Sequence, residues 1–193
     1  MRKSKADTAR TRERIVETAS KQFRRHGISD AGLSRLMAAA GLTHGGFYRH
    51  FASKDQLVAE ACHAALLSLT DGLAARIAGK SPDRALPLLL EKYLSRAHRD
   101  QPAAGCLLAA LGSELARSDA ATRDAATDGL LRLAGLIARQ LKTLPPDEAQ
   151  SRSLAIAAAM VGAITLSRIL TDAPTSNALL RATKNYILKA ASK

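Results

Sequence analysis

Aromatic residues are scarce in this chain of 193 residues, which has no tryptophan, three phenylalanines and three tyrosines. All three phenylalanines and Tyr48 lie within the first 51 residues, so Tyr93 and Tyr186 are the only such rings in the rest of the chain. Alanine and leucine supply most of the apolar content, and both favour helices, whereas strands are usually rich in aromatic and β-branched residues. The composition therefore predicts an all-α fold.

Cysteines and long apolar segments are also scarce. The two cysteines, Cys62 and Cys106, do not make a disulfide framework. The uncharged run Leu154–Ser167 is shorter than the roughly 20 residues that cross a bilayer. The basic start Met1–Lys5 is followed by polar residues rather than by the apolar segment of a signal peptide. We therefore expect a cytoplasmic protein with no membrane partner.

Motifs for catalysis and metal binding are missing as well. The sequence contains no G-x-S-x-G motif, P-loop or H-E-x-x-H motif. Its five histidines do not occur with cysteines or carboxylates at metal-binding spacings. His63 follows Cys62 directly, and on a helix the two side chains would point about 100° apart. We expect no enzymatic activity, no metal site and no cofactor.

Positive charge is abundant and unevenly distributed. The formal net charge is +12 at pH 7, and residues 1–60 contribute half of it. Positive charge is therefore about twice as dense in the first third of the chain as in the remainder. A generally basic composition explains the total but not its location, which favours a polyanionic partner for the N-terminal third.

A glycine turn and the short polar segment after it organise this N-terminal third. Gly41 lies where a left-handed helix cap is expected, and Thr43 is a suitable N-cap for the next helix. Phe47 and Phe51 are four residues apart, so they share a face that can anchor this helix to a core. The opposite face carries Thr43, His44, Gly45, Tyr48, Arg49 and His50. This pattern predicts a helix-turn-helix, whose second helix enters the DNA major groove.

This short helix contains two consecutive glycines, Gly45 and Gly46, which are unfavourable in helices. Each costs about 1 kcal/mol of helix stability relative to alanine. Their presence indicates that a large partner approaches the backbone closely at this point.

The segment resembles the DNA-binding signature of the TetR/AcrR family of bacterial repressors. The matching residues are Ala39-Ala40-Gly41-Leu42, Thr43-His44-Gly45-Gly46-Phe47-Tyr48-Arg49-His50-Phe51 and Ser53-Lys54-Asp55-Gln56-Leu57. The resemblance covers roughly residues 8 to 60. It implies a DNA-binding domain of residues 1–52, an effector-binding and dimerisation domain of residues 53–193, and a homodimer that binds double-stranded operator DNA.

Apolar spacings of three and four residues, interrupted by proline and glycine, predict helices throughout the chain. The expected helices span residues 8–25, 33–40, 43–51, 53–78, 81–97, 105–117, 119–144, 147–170 and 176–189, nine in all. Ala31-Gly32 departs from the Thr-Ser of the family pattern, so Asp30 or Ser29 is expected to cap the second helix. The small residues Ala158, Gly162 and Ala163 predict that the last two helices pair with their copies in the dimer.

The candidate DNA contacts fall into two groups. Arg10, Arg12, Tyr48, His50 and Lys54 are expected at phosphates, which set register and affinity without reading sequence. Thr43, His44, Gly45 and Arg49 are expected at base edges. By the resemblance, Thr43 to Gly45 lie deepest in the groove.

The middle helices are predicted to hold a small, mainly aliphatic effector that releases the repressor from a palindromic operator. The candidate effector-binding residues are His63, Leu66, Leu67, Tyr93, Cys106, Leu107 and Leu111. Two alternatives remain open from the sequence. Cys106 follows Gly105 at a helix start, where thiol pKa values are lowered, so it could sense electrophiles or oxidants instead of being a small buried hydrophobe. The protein could also be a non-specific architectural DNA binder.

Overall fold

The computed structural model describes residues 5–191, and every regular element in that range is a helix. Nine are α-helices: α1 Lys5–His26, α2 Leu33–Ala39, α3 Lys54–Ile77, α4 Pro82–Tyr93, α5 Arg96–Asp100, α6 Leu107–Leu115, α7 Ala120–Ala138, α8 Pro146–Ile169 and α9 Ala173–Ala191. Two are 3₁₀-helices: η1 His44–Arg49 and η2 Pro102–Ala104. The all-α prediction is confirmed, and the start of the basic N-terminal segment lies outside the described residues.

The number of α-helices in residues 5–191 agrees with the prediction, but three assignments differ. The short third helix is the 3₁₀-helix η1. The helix predicted to continue through Ala97 ends at Tyr93, because the Ser95 side chain accepts a hydrogen bond from the backbone N–H of His98 and starts α5. The helix predicted to reach Leu144 ends at Ala138, where backbone turns take over.

Local sequence signals explain most helix boundaries. Gly41 has a positive φ of 71°, as a left-handed cap requires. The Ser53 hydroxyl caps α3 by accepting a hydrogen bond from the N–H of Gln56. The prediction that Asp30 or Ser29 caps α2 is wrong, because the extended Gly32 occupies the N-cap position and no side chain makes a capping hydrogen bond there.

Helix α3 is the central element of the fold. It packs against α1 on one side and α7 on the other, and α7 in turn packs against α8. The contact with α7 is close because Gly129 has no side chain there: a Cβ atom at this position would lie 2.6 Å from Leu66 Cβ. One continuous apolar cluster includes buried residues from α1 through to α9, so the N-terminal helices share a core with the rest of the chain.

Among the described residues, α3 and α8 have the length and apolar composition of a membrane-spanning helix. A core helix of a helical bundle has the same properties. Both helices pack in the core, with 44% and 39% of their most apolar windows buried.

Candidate DNA-binding surface and effector cavity

Two phenylalanines anchor η1 to the core. Phe47 and Phe51 are fully buried, and their ring centroids lie 5.4 Å apart. Tyr48 is on the opposite side, with 67% of its surface exposed. The structure therefore has the orientation of η1 that the spacing of the aromatic residues predicts.

The outer face of η1 brings most of the predicted DNA-contacting residues together. Thr43, His44, Gly45, Tyr48 and Arg49 are exposed on this surface, and His50 is half-buried. The His44 ring is fixed to α2, with Nδ1 3.1 Å from the Ser34 hydroxyl. A surface with polar, aromatic and cationic groups can contact both base edges and phosphates.

The protein's own packing does not require glycine at Gly45 or Gly46. Neither has a positive φ. A Cβ atom at Gly45 would meet nothing within 4 Å, and one at Gly46 would make only ordinary contacts, the nearest at 3.7 Å. The open backbone of this exposed segment is therefore available to an external partner.

The basic residues expected at phosphates differ in their surroundings. Arg12 forms a two-armed ion pair with Glu60, and its guanidinium lies 4.6 Å from the centroid of the Phe51 ring. These contacts hold α1 to α3 and give the Arg12 guanidinium partners within the protein, and its phosphate contact stays a prediction. Lys54 Nζ donates to the Ile28 carbonyl at 2.7 Å, whereas Arg10 is exposed and pairs with the half-buried Asp7.

A cavity of about 1000 Å³ lies between α1, α3 and the segment from the end of α4 to Gly105. Of the predicted effector-binding residues, it includes His63 and Tyr93. Its apolar lining includes Val16, Leu69, Leu73, Ala97, Ala103 and Ala104. Its polar and charged lining includes Arg12, Glu13, Glu17, Ser20, Lys21, Arg24, Glu60, Ser68, Lys92, His98, Gln101 and Asp128.

The other five predicted effector-binding residues do not line this cavity. Leu66 is buried against Gly129 of α7. Leu107 and Leu111 belong to the apolar core, as does Cys106 at the start of α6. Leu67 is half-buried but lies outside the cavity wall. The apolar residues of α6 face inward, so they stabilise the bundle instead of lining a binding site.

The environment of Cys106 disfavours thiol chemistry. The residue is fully buried at the N-cap of α6. Burial raises the pKa of the thiol despite its place at a helix start, so the reactive thiolate is disfavoured. The other cysteine, Cys62, is also buried, and burial raises its pKa to about 12. The structure thus offers no activated thiol for redox sensing.

Residues of α1 form one wall of the cavity, although none of the effector-binding residues predicted from the sequence lies on α1. Arg24 Nη1 donates to the Gly105 carbonyl at 2.9 Å, and Nε donates to the Ser20 carbonyl at 3.2 Å. Across the cavity wall, His98 Nδ1 lies 2.6 Å from the Tyr93 carbonyl and Nε2 accepts from the N–H of Cys106 at 2.7 Å. These bonds fix the ring as the neutral Nδ1–H tautomer. Burial lowers the pKa of His98 to about 4.

Glu114 of α6 connects the C-terminal part of the chain to the turn between α1 and α2. Its carboxylate accepts hydrogen bonds from the N–H groups of Ile28 at 2.7 Å and Ser29 at 3.2 Å. Gly27 permits this contact, since it has a φ of 86° and a Cβ atom there would lie 3.0 Å from Glu114 Oε1. Glu114 therefore holds the turn at the base of the helix-turn-helix to α6.

Residues 5–191 contain no group of three or more histidine, cysteine, aspartate or glutamate side chains arranged to hold a metal ion.

Comparisons with known proteins identify both parts of the chain. Residues 15–61 match the family of bacterial regulatory proteins of the tetR type. Residues 82–184 match the C-terminal domain of LmrA/YxaF-like transcriptional regulators.

Two curated relatives are similar over the N-terminal region. The "Probable acrEF/envCD operon repressor" of Escherichia coli K12 is 41% identical over 59 residues, which cover 31% of this chain and 27% of the relative. The regulator TtgR of Pseudomonas putida is 34% identical over 88 residues, 46% of this chain and 40% of the relative. The matches thus span well under half the length of these relatives.

Solved structures share the whole fold. A TetR transcriptional regulator from Chloroflexus aurantiacus superposes with a TM-score of 0.80 at 26% identity, over 96% of each chain. Reduced E. coli NemR superposes with a TM-score of 0.77 at 19% identity, over 92% of this chain and 95% of that one, which shows the fold alone. Because the C-terminal match covers more than half of the chain, and the N-terminal match adds the helix-turn-helix, this chain belongs to the TetR family of transcription regulators, which are DNA-binding proteins and not enzymes.

Proposed function

We propose that this protein is a homodimeric repressor that binds a palindromic operator and is released from it by a small effector. The proposal that the protein binds DNA is supported by the outer face of η1. It places exposed polar, aromatic and cationic side chains around an open glycine backbone, on a helix fixed by the buried Phe47 and Phe51.

The proposed DNA contacts are assigned to side chains that are exposed on and around η1. Thr43, His44, Gly45 and Arg49 contact base edges, because they are exposed on the outer face of η1. Arg10, Tyr48, His50 and Lys54 contact phosphates at its margins. Arg12 holds the helix-turn-helix to α3 through Glu60.

The proposed dimer uses α8 and α9. One face of α8 carries a stripe of apolar and small residues, all exposed except the half-buried Gly162: Leu154, Ala158, Gly162, Leu166 and Ile169. Ile169 is 68% exposed, and Tyr186 of α9 is 73% exposed. Residues this apolar would be covered by a second copy. Ala163, predicted with this set, is buried in the core and does not belong to it.

The proposed effector site is the cavity between α1 and α3. An effector there touches α1 directly, along with the segment that ends at Gly105. A ligand that prefers a wider separation of α1 from this segment would change the relative placement of the two helix-turn-helix units in a dimer. Release requires that the ligand bind the DNA-incompetent arrangement more tightly than the DNA-bound one.

Selection from a random duplex library, followed by gel shifts at two salt concentrations, tests this function. A palindromic consensus whose preference survives at the higher salt is the expected result. His44→Ala and Arg49→Gln should weaken binding to that consensus. Uniform, salt-sensitive binding to every duplex would instead indicate a non-specific architectural DNA binder.

A further inference from the structure

One polar group at the Arg24 end of the cavity lacks the hydrogen-bond partner that its burial would normally require. Ser20 is 3% exposed and lines the cavity, yet its hydroxyl has no hydrogen-bond partner among the described residues. Arg24 bonds two backbone carbonyls, and no carboxylate of residues 5–191 forms an ion pair with it. A buried hydroxyl normally finds a hydrogen-bond partner, and the half-buried Arg24 has only neutral acceptors, so this end can accommodate a ligand's anionic acceptor group.

The same end of the cavity is electropositive. Arg168 lies behind Gly105, donating through Nη2 to the His98 carbonyl at 3.0 Å, and its buried Nη1 has no partner among the described residues. Lys92 also lines the cavity. Burial is the main cause of the lowered pKa of His98, and the positive charges of Arg168, Lys92 and Arg24 act in the same direction.

The acidic residues of the cavity do not neutralise this end. Glu60 is paired with Arg12, which is twelve residues before Arg24 and therefore about 18 Å away along α1. Glu17 is paired with Lys21 at 2.6 Å. Glu13 lies beside Arg12 in sequence, and Asp128 approaches from α7 and is exposed. Between the two ends, Val16, Leu69 and Leu73 provide an apolar wall.

We infer that the cavity binds an amphipathic carboxylate, with its head group at Arg24 and Ser20 and its apolar body along Val16, Leu69 and Leu73. The planar guanidinium of Arg24 can donate to a carboxylate without releasing the Gly105 carbonyl, and the Ser20 hydroxyl supplies a further donor. This inference rests on the proposed function, since it names the class of effector for the same cavity. It replaces the purely aliphatic effector expected from composition.

Calorimetric titration of the full-length protein, without DNA, tests the head-group preference with three probes of equal chain length: decanoate, decanol and decylammonium. Decanoate should bind at least about tenfold more tightly than decanol, and decylammonium more weakly than either, because only the carboxylate offers Arg24 a negatively charged acceptor with two oxygens. Equal affinity for decanoate and decanol, preference for the amine, or no binding of any probe would overturn the inference.

Two variants locate the head group. Arg24→Gln should reduce the ratio of decanoate to decanol affinity to about one, whereas Arg25→Gln, which removes the neighbouring exposed charge outside the cavity, should leave it unchanged. A preference that survives Arg24→Gln would overturn the inference.

Because Arg24 also holds the Gly105 carbonyl, thermal unfolding is measured for every variant. If Arg24→Gln does not fold, Ser20→Ala tests the head-group site instead. The Ser20 hydroxyl makes no hydrogen bond within the described residues that this substitution could break. Ser20→Ala should lower decanoate affinity several-fold and leave decanol affinity unchanged, and equal effects on both would count against the head-group site. Gel shifts on the parent protein separate the two proposals. A parent that binds its operator but shows no carboxylate preference rejects only the effector class, while a parent that binds no operator rejects the proposed function.

Discussion

At the scale of single residues, η1 separates stability from DNA binding. Phe47→Ala should lower the free energy of unfolding by roughly 3–5 kcal/mol, because its ring is fully buried. Tyr48→Ala and His44→Ala should change it by less than about 0.5 kcal/mol, since both side chains are exposed. Urea unfolding measures both effects. A larger loss for Tyr48→Ala than for Phe47→Ala would mean that η1 presents the opposite face.

Gly45 provides a sharper test of the same surface. A methyl group there meets nothing in the protein, so Gly45→Ala should leave the melting temperature unchanged or slightly higher. The added methyl group should nevertheless weaken operator binding at least about tenfold, or 1.4 kcal/mol, if the DNA backbone or base edges approach this glycine. Gly112→Ala is the control, because Gly112 is equally open but lies on α6. Unchanged DNA affinity for Gly45→Ala would argue against close approach at this point.

His98 should make stability depend on pH. Its folded-state pKa of about 4 is below the ordinary 6.5, so the unfolded chain binds a proton before the folded one does as the pH falls. The contribution is complete above about pH 6.5 and is lost between about 6.5 and 4. Between about pH 7 and 5, the free energy of unfolding should therefore fall by roughly 2 kcal/mol. Urea unfolding of the parent and of His98→Gln measures this, and an equal loss in both would exclude His98 as the cause.

At the scale of elements, Glu114 joins α6 to the helix-turn-helix. Glu114→Gln keeps the size of the side chain but removes the charge that two backbone N–H groups contact. We expect a loss of roughly 1–3 kcal/mol in the free energy of unfolding. Weaker operator binding should accompany it, because the α1–α2 turn is no longer held. Glu91→Gln, on an exposed part of α4, is the matched control and should have neither effect.

The close contact of α3 with α7 depends on Gly129. Gly129→Ala would force its new methyl group to within 2.6 Å of Leu66 Cβ, so the helices must separate. The expected destabilisation is about 1–3 kcal/mol, although alanine is the better helix former. Thermal unfolding compares this variant with Gly112→Ala, which has open space and should be neutral or stabilising. Equal melting temperatures of the two variants would show that α3 and α7 can accommodate a methyl group at position 129.

At the scale of the whole molecule, the exposed face of α8 predicts the oligomeric state. The parent protein should sediment as a dimer at micromolar concentration. Gly162→Leu should shift it towards monomer, because a Cβ atom at the half-buried Gly162 would meet nothing within 4 Å in the single chain, and a leucine would fill the space expected for the partner helix. Leu131→Ala removes an exposed leucine of α7 as a control for apolar surface outside this face. A monomeric parent would contradict the proposed interface.

The sequence alone determined the features that depend on near neighbours in the chain. The spacing of Phe47 and Phe51 specified which face of η1 is buried, and Gly41, Ser53 and Pro82 marked helix ends, because caps and helical periodicity act over three or four residues. The helix-turn-helix could be predicted from these signals.

Contacts between residues far apart in sequence set the partners of the charged side chains and the lining of the cavity. Arg12 meets Glu60 across 48 residues, Arg24 meets the Gly105 carbonyl across 81, and Glu114 meets the Ile28 N–H across 86. Helical periodicity shows that a face is apolar but not which helix covers it, so it could not show that Leu66, Leu107 and Leu111 pack in the core. The packing of α1 against α3 and Gly105 created a charged cavity that no local pattern encodes.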